Sequence, residues 1–484
     1  MRIVPARTTS RRSGASRRAA VAAGSPPRRA SRRAAGQRTP LYELAQHESW
    51  GTLPICRPLD HTMFHALDEY VTQKLPTDAL YEALVRGQKI EIHGVYPDHL
   101  PHVAARLGLY DVRDFHTGRH VRPKAFNYIR PAFFTARRRN GGDVLVAAVV
   151  PGRDYVRHYA GLIRHFVAMH TSFAEQRIDV VRYPLAETSL PSWSGLDEMQ
   201  IEPGATLVVG YVGELAQLLR RHCGLEPLSV IQNSSFGAMH YRLPTGRPLT
   251  LLGVTFSFWG SISAVLTRAF CRLGVDEILY IGKLGTLEDP KDVYTRIFAP
   301  SKYVVLDHKD VVQSVAGLPN RLLERFPELD THGHISVPTV MEEDYVQRGL
   351  VTQLGAASID NEISQMAAMV AQYHEMTGRA VSFSALHFAT DYVRSSVDRH
   401  LHCPLDLSNN RTHVARGKKD VIVERIAREY LFPHFGFVTP SRARRRGSRA
   451  RVENPNRESD HPGCELPSNE RSTTATSARS ALAL

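Results

Sequence analysis

The stretch Gly274–Leu287 reads GVDEILYIGKLGTL, and it decides the fold expected for this chain. Its run Glu277–Ile281 is typical of a buried strand and leads directly to two glycines, Gly282 and Gly285. We interpret GKLG as a glycine-rich turn that follows the strand. In parallel α/β sheets the carboxyl ends of the strands gather along one edge, where ligands bind. The stretch therefore predicts a sheet and the location of a binding site.

On both sides of this stretch, apolar runs of strand length alternate with segments of helical periodicity. The predicted strands are Thr206–Val209, Leu249–Val254, Tyr303–Leu306, Ala356–Ser358 and Val381–Ala385, and the predicted helices are Leu215–Arg221, Ile262–Leu273 and Glu362–Met376. This alternation predicts an α/β domain with a mostly parallel central sheet flanked by helices, which we place at residues 201–437.

A smaller α/β or α+β domain of unknown role is predicted for residues 41–200. Its clearest elements are a strand at Asp143–Val150 and a helix at Asp154–Phe173. The proline-rich stretch Pro184–Pro203 is interpreted as the linker to the larger domain.

The positive charge of the 484-residue chain lies at its two ends. The net charge is +13, but residues 1–40 contain eleven Arg and no acidic residue, and residues 441–484 carry +4, which leaves residues 41–440 at −2. A nearly neutral body argues against specific binding of nucleic acid. The tails, 1–40 and 438–484, are expected to be disordered, although an Arg- and Ser-rich, acid-free beginning is also typical of an organellar transit peptide.

The five cysteines include no CxxC pair, which indicates free thiols in a reducing compartment. No stretch of 18 apolar residues is present. We therefore expect a cytoplasmic protein without a membrane partner.

Three segments, in order, resemble the nucleoside phosphorylase and nucleosidase superfamily over residues 201–395. They are Gly274–Leu287, ASIDNEISQMAAMVAQYHEM at Ala357–Met376, and SALHFATDYV at Ser384–Val393. They are similar to the family's R-V-G-T-C-G-G turn, its V-x-M-E-x-A-A-L helix start and its strand that ends in S-D. The resemblance implies a purine nucleoside phosphorylase-like domain that binds a nucleoside or nucleotide, uses no cofactor or metal, and forms a homo-oligomer.

The resemblance also implies roles for four residues near two strand ends. Glu362 matches the family's glutamate that binds the ribose hydroxyls, and Asp391 matches its aspartate that protonates the departing base. Asn361 stands in place of a methionine beside the ribose, and Asp360 in place of a further acidic residue. Each carboxylate also has a plain structural interpretation, Glu362 as a first-turn acid favoured by the helix dipole and Asp391 as an N-cap.

Several positions depart from the phosphorolytic members of the family. Tyr280 and Lys283 stand where those members have an Arg and a Ser or Thr, and the arginine loop after the first strand is absent. Hydrolytic members also lack these arginines and carry a glutamate that activates water, for which Glu214 is the nearest candidate. Lys283 is either a surface lysine or an anion-binding group. The base-stacking aromatics are replaced by Val340–Met341, with Phe236, Phe258 and Trp259 as substitutes.

These features predict cleavage of the N-glycosidic bond of a nucleoside or nucleotide-like substrate, by hydrolysis rather than phosphorolysis. The predicted catalytic residues are Asp391 and Glu214, and the predicted substrate-binding residues are Glu362, Asn361, Asp360, Gly282, Lys283, Gly285 and Trp259. The alternative is a non-catalytic nucleoside or nucleotide sensor that has kept the fold and lost turnover. A third hypothesis places the activity in the N-terminal segment.

Overall fold

The structure, a computed structural model, contains two β-sheets, one from each half of the chain. It describes residues 47–48, 67–118, 125–170, 178–182, 190, 193–306, 312–340, 345–393 and 413–437. The tails expected to be disordered, and with them the transit-peptide candidate, lie outside these residues.

The first half of the chain forms a six-stranded sheet with helices. Its main elements are β1 (His47–Glu48), α1 (Leu67–Lys74), α2 (Thr77–Val85), β2 (Lys89–Gly94), α3 (Leu100–Val103), β3 (Leu109–Thr117), β4 (Ala132–Arg138), β5 (Asp143–Val149), α4 (Arg153–His170) and β6 (Ile178–Arg182). The strand order is β1-β6-β2-β5-β4-β3. Strand β2 pairs in parallel with β5 and β6, whereas β3, β4 and β5 pair antiparallel.

The second half forms a larger sheet covered by helices. Its main elements are β7 (Thr206–Gly210), α5 (Val212–Cys223), β8 (Ser229–Gln232), β9 (Phe236–Arg242), β10 (Pro248–Val254), α6 (Ser261–Arg272), β11 (Glu277–Thr286), β12 (Ile297–Phe298), β13 (Lys302–Leu306), β14 (Val312–Ala316), α7 (Arg321–Arg325), β15 (Gly333–Ser336), α8 (Tyr345–Gln353), β16 (Ala356–Asp360), α9 (Ile363–Thr377), β17 (Ser382–Tyr392), α10 (His413–Ile426), a π-helical turn (Ala427–Leu431) and α11 (Phe432–His434).

The centre of the second sheet is parallel. Strands β10, β7, β11 and β17 pair in parallel along the core of the sheet, as do β13, β15 and β16 on one side of it. Antiparallel pairs join β11 to β16 and complete the edges, where β8 and β9 follow β10 and β14 follows β13. Helices alternate with these strands, so the α/β fold class expected from the sequence is confirmed.

The GKLG segment is a strand, and its interpretation as a turn was wrong. Strand β11 continues through Gly282 and Gly285 to Thr286, with β17 paired along its whole length and β16 paired to its last residues. The glycines serve close packing: a Cβ on Gly282 would lie 2.5 Å from Nε2 of His387. A glycine inside a strand often marks such a close approach, which a local sequence pattern does not distinguish from a turn.

The apolar stripe of α9 packs inside the chain. Ile363, Met366, Ala367 and Val370 are all buried in the same hydrophobic core as residues of α6 and β17. Core packing within one chain therefore accounts for these four side chains, and the homo-oligomer implied by the resemblance stays a prediction.

The two sheets share one hydrophobic core. Tyr96, which follows β2, contacts Trp193 and Phe256 with ring centroids 5.2 and 6.2 Å apart. Trp193 belongs to the stretch interpreted as a linker, yet it is buried, so this part of the stretch is packed between the two halves. Within the described residues, none of the helices combines the length and the apolarity needed to cross a membrane.

Candidate functional site

Asp360 ends β16 and fixes the start of α9. Its carboxylate accepts hydrogen bonds from the backbone N–H of Glu362 at 3.0 Å and of Ile363 at 3.2 Å, and from Oγ of Ser336. The side chain is buried, and Oγ of Ser336 also accepts from the N–H of Ser364. The carboxylate predicted to bind substrate is therefore engaged by the protein itself, at the N-terminus of a helix whose dipole favours it.

Two buried histidines border the Asp360 carboxylate. Nε2 of His334 lies 2.9 Å from Oδ1, and Nε2 of His387 lies 3.9 Å from Oδ2. Burial works against ionisation of Asp360, but the neighbouring His334 and Ser336 outweigh it and lower the pKa of this carboxyl. Burial lowers the pKa of His387 to about 3, so its imidazole is neutral near pH 7.

Gly282 provides the space that His387 occupies. The two residues are partners in the β11–β17 ladder, and the imidazole crosses the position of the missing Cβ. The ring of Tyr280 lies edge-on to His387, with centroids 5.0 Å apart, and the ring of Phe258 follows at 5.8 Å from Tyr280. A row of aromatic rings thus leads from Asp360 along one face of β11.

Glu362 stands between β16 and α9, next to Asp360. Burial, followed by the charge of Asp360, raises the pKa of Glu362 to about 8, although the N–H of Asn361 and the ammonium of Lys283 favour the ionised form. The N–H of Asn361 lies 3.2 Å from Oε2 of Glu362. Residue 362 directly precedes the first helical residue of α9, and its side chain makes no capping bond.

Lys283 and Asn361 have different surroundings. Lys283 is exposed, and its charge acts on the Glu362 carboxyl. The side-chain amide of Asn361 donates to the backbone carbonyl of Val337 at 3.0 Å, and the backbone carbonyl of Asn361 accepts from the N–H of Gly260 at 2.7 Å. Asn361 thus ties the start of α9 to two neighbouring loops.

Asp391 lies at the same end of β11 but beside its other face. It is the ladder partner of Gly285, and a Cβ on Gly285 would lie 3.0 Å from Oδ2 of Asp391. Gly282 and Gly285 are three residues apart, so their Cβ directions point to opposite faces of the strand. Asp391 is buried, accepts from Oγ1 of Thr390 at 2.8 Å, and lies inside β17, so its interpretation as a helix N-cap was wrong.

Glu214 lies in the first turn of α5. Its Oε1 lies 3.2 Å from Nζ of Lys419. Burial raises the pKa of Tyr211 above its ordinary range, and the charge of Glu214 and then the neighbouring Tyr294 add to the effect. Burial and the charge of Asp391 in turn raise the pKa of Tyr294 to about 12. The rings of both tyrosines lie beside Phe388 of β17, with centroids 5.5 and 6.1 Å from it.

Trp259 has a different environment from the other predicted residues. Its indole packs edge-on against Tyr155 and His158 of α4, with centroids 4.8 and 4.7 Å apart. The structure thus brings Glu362, Asp360 and Lys283 together, places Asp391 and Glu214 beyond the opposite face of β11, and uses Trp259 as a contact between the two halves.

Sequence reasoning missed the histidine pair. Neither His334 nor His387 is among the predicted site residues. The sequence signal for His387 is its place four residues before Asp391, between apolar residues of the segment SALHFATDYV. Among the described residues there is no group of three or more His, Cys, Asp or Glu side chains that could hold a metal ion.

The chain matches no family model. It is 32% identical over 377 residues to the oxidoreductase cns1 of Cordyceps militaris, an alignment that covers 74% of this chain and 47% of that protein. The chain thus spans about half the length of the curated relative that it matches.

Solved structures similar to this chain include several nucleosidases. The 5′-methylthioadenosine/S-adenosylhomocysteine nucleosidase of Helicobacter pylori is 13% identical and aligns over 47% of this chain and 100% of its own, with a TM-score of 0.31. The futalosine hydrolase of the same organism is 12% identical and aligns over 46% of this chain and 100% of its own, with a TM-score of 0.32. The 5′-methylthioadenosine nucleosidase of Arabidopsis thaliana is 14% identical and aligns over 47% of this chain and 97% of its own, with a TM-score of 0.30. Likeness at these TM-scores carries no argument about function.

Proposed function

We propose that this chain hydrolyses the N-glycosidic bond of a nucleoside or nucleotide-like substrate. The observation that carries the proposal is the position of Glu362, a carboxyl between β16 and α9 that stands beside Asp360 and Lys283 at the end of β11. Cleavage of this bond produces an oxocarbenium-like sugar and an anionic leaving base, so one group must hold the sugar and another must protonate the base.

The roles follow from the surroundings of each carboxyl. We assign the sugar hydroxyls to Glu362, because a carboxyl with a pKa of about 8 is largely protonated near pH 7 and can both donate and accept hydrogen bonds. We assign protonation of the base to Asp391, which is buried beside Gly285. Glu214 is the candidate base for water, and its ion pair with Lys419 holds the carboxylate in one position.

The test is release of free base by the purified full-length chain from a panel of nucleosides and nucleotides, without phosphate, followed by chromatography. We expect release by the wild type, a strong loss in Glu362→Met and Asp391→Asn, and no loss in Glu375→Met. Glu375 is the matched control because it is an exposed glutamate of the same helix, α9. Activity that survives in both site variants would contradict the proposal.

Binding without turnover would support the sensor alternative. A panel compound that raises the melting temperature in proportion to its concentration, while no base is released, identifies a ligand without a reaction. In that case the Glu362→Met variant is expected to lose the thermal shift and Glu375→Met to keep it.

A second candidate function is oxidation or reduction of a related ligand, and the observation in its favour is the name of the curated relative. Because the chain spans about half of that protein, the named activity can belong to either part of it. Incubation of the panel with oxidised and reduced nicotinamide cofactors separates the two candidates. A change in cofactor absorbance without base release would favour the oxidoreductase.

A further inference from the structure

A short segment from the first half of the chain lies on the end of β10 in the second sheet. The backbone N–H of Asn127 donates to the carbonyl of Val254 at 2.7 Å, and those of Tyr128 and Ile129 donate to the carbonyl of Thr255 at 2.7 and 2.8 Å. These bonds extend the ladder beyond β10, with Ile129 bridged in parallel to Phe256. The segment is therefore held at the carboxyl edge of the sheet.

The ring of Phe126 anchors this segment. It fills a slot between glycines of two paired strands, where a Cβ on Gly253 would lie 2.1 Å from the ring and a Cβ on Gly237 would lie 2.8 Å from it. Any larger residue at either position would expel the ring. Backbone pairing and the aromatic anchor together fix the position of the following residues, including Arg130.

Arg130 presents a guanidinium group at this edge. Its Nη1 donates to the carbonyl of Ile129 at 2.8 Å, to Oδ1 of Asn127 at 3.0 Å and, at 3.5 Å, towards Oγ of Ser257. The residue is partly buried. Within the described part of the chain no carboxylate lies within ion-pair distance of it, and the hydrogen bonds found there use Nη1 and leave Nε and Nη2 as donors for another group.

Arg130 and Glu362 border the same region of the sheet edge. Ser257, which Arg130 approaches, directly precedes Phe258, whose ring lies 5.8 Å from that of Tyr280. The N–H of Gly260, three residues after Ser257, donates at 2.7 Å to the backbone carbonyl of Asn361, which directly precedes Glu362. The loop from Ser257 to Gly260 therefore runs from the guanidinium to the segment that bears the carboxyl assigned to the sugar.

The nearest helix end cannot serve as the anion site instead. The backbone N–H of Ser261, in the first turn of α6, already donates to Oδ2 of Asp154 at 2.6 Å. Arg130 keeps donors at this edge, and a guanidinium fork matches the oxygens of a phosphoryl group.

We propose that Arg130 binds the 5′-phosphate of the substrate, so the substrate class is a nucleoside 5′-monophosphate rather than an uncharged nucleoside. This inference rests on the proposed function for the sugar and base. It assigns a role to the first half of the chain, which supplies the phosphate-binding group to a site built on the second sheet.

The experiment compares adenosine, inosine and uridine with their 5′-monophosphates, using the wild type, Arg130→Met, Arg130→Lys and the control Arg137→Met. Arg137 is an exposed arginine of β4 that pairs with Asp143. A charge-assisted bond to phosphate predicts that the apparent Kd and KM for the monophosphate rise roughly 10- to 100-fold in Arg130→Met, less in Arg130→Lys, and not in the control. The values for the nucleoside should stay unchanged.

If Arg130→Met weakened binding of the nucleoside and of the monophosphate equally, the inference would be overturned, because the residue would then serve as a structural contact between the two halves of the chain. Thermal melting of each variant, with Arg130→Lys as the milder change, separates loss of folding from loss of binding. Stimulation by inorganic phosphate that disappears in Arg130→Met would also overturn it, by assigning the guanidinium to a phosphate nucleophile.

The two proposals fail in different ways. If no base is released but the monophosphate binds and Arg130→Met weakens it, the hydrolase proposal fails and the phosphate site stands. If base is released from nucleosides and monophosphates with equal efficiency by both the wild type and Arg130→Met, the hydrolase stands and the phosphate site fails.

Discussion

Replacing Glu362 by Gln should change how the stability of the protein depends on pH. The pKa of this carboxyl is 4.5 in an unfolded chain and about 8 in the folded protein, because burial and the Asp360 charge disfavour its ionised form. Between these values the unfolded chain releases a proton that the folded chain keeps, so unfolding becomes easier as pH rises. The favourable contribution is fully present below pH 4.5 and is lost as pH rises towards 8.

The size of the effect follows from the shift. Each pH unit inside this window costs about 1.4 kcal/mol, so the wild type should lose about 3 kcal/mol of unfolding free energy through this group between pH 5.5 and 7.5. The Gln variant has no proton to release, and titration of the other groups cancels in the comparison. The unfolding free energy of the Gln variant minus that of the wild type should therefore rise by about that amount from pH 5.5 to 7.5.

Urea unfolding followed by tryptophan fluorescence at several pH values measures this difference. Glu375→Gln, on the exposed side of the same helix, should show a constant offset from the wild type at every pH. Curves for Glu362→Gln and the wild type that run in parallel from pH 5.5 to 7.5 would refute the reasoning, because they would show that Glu362 is ionised in the folded protein.

Three further predictions concern the end of β11. Asp391→Asn should lower the rate of base release by about 100-fold or more and leave ligand affinity largely unchanged. The rate assay and titration calorimetry measure the two quantities, and an equal loss of rate and affinity would contradict the role of Asp391 as an acid. Gly282→Ala should cost about 1–3 kcal/mol of unfolding free energy, since the new Cβ meets His387, whereas Gly417→Ala, with open space around it, should cost nothing by the same urea assay. Turnover should not depend on phosphate in either the wild type or Lys283→Met, and phosphate-dependent turnover that Lys283→Met abolishes would show phosphorolysis instead.

The fold class could be predicted from the sequence because the central strands are buried on both faces. The strands at Thr206–Gly210 and Pro248–Val254 are apolar runs bounded by polar segments and are recognisable without any partner, whereas only the first part of the strand at Ser382–Tyr392 was predicted. The hairpin strand Phe236–Arg242 mixes polar and apolar residues, so its pairing with β10 depends on tertiary structure and was missed.

The candidate site could be predicted only in part. Glu362 and Asp391 follow or end strands, and strand ends of an α/β sheet converge by topology, so a sequence pattern can nominate them. Arg130 lies more than 100 residues before Ser257 in the sequence, although the two side chains are neighbours in the structure. No local sequence pattern signals such a contact. The GKLG strand was misjudged for a related reason, because the side chain that needs its glycine, His387, comes from another strand.

The source of the oxygen in the sugar product tests the central proposal most directly. The wild-type chain is incubated with the panel of nucleosides and 5′-monophosphates in water enriched in heavy oxygen, with and without phosphate, and the products are analysed by mass spectrometry. Hydrolysis of the N-glycosidic bond predicts free base in equal amount to a sugar that carries one heavy oxygen, with no sugar 1-phosphate under either condition. Complete recovery of every compound, or a sugar 1-phosphate without heavy oxygen, would contradict the account.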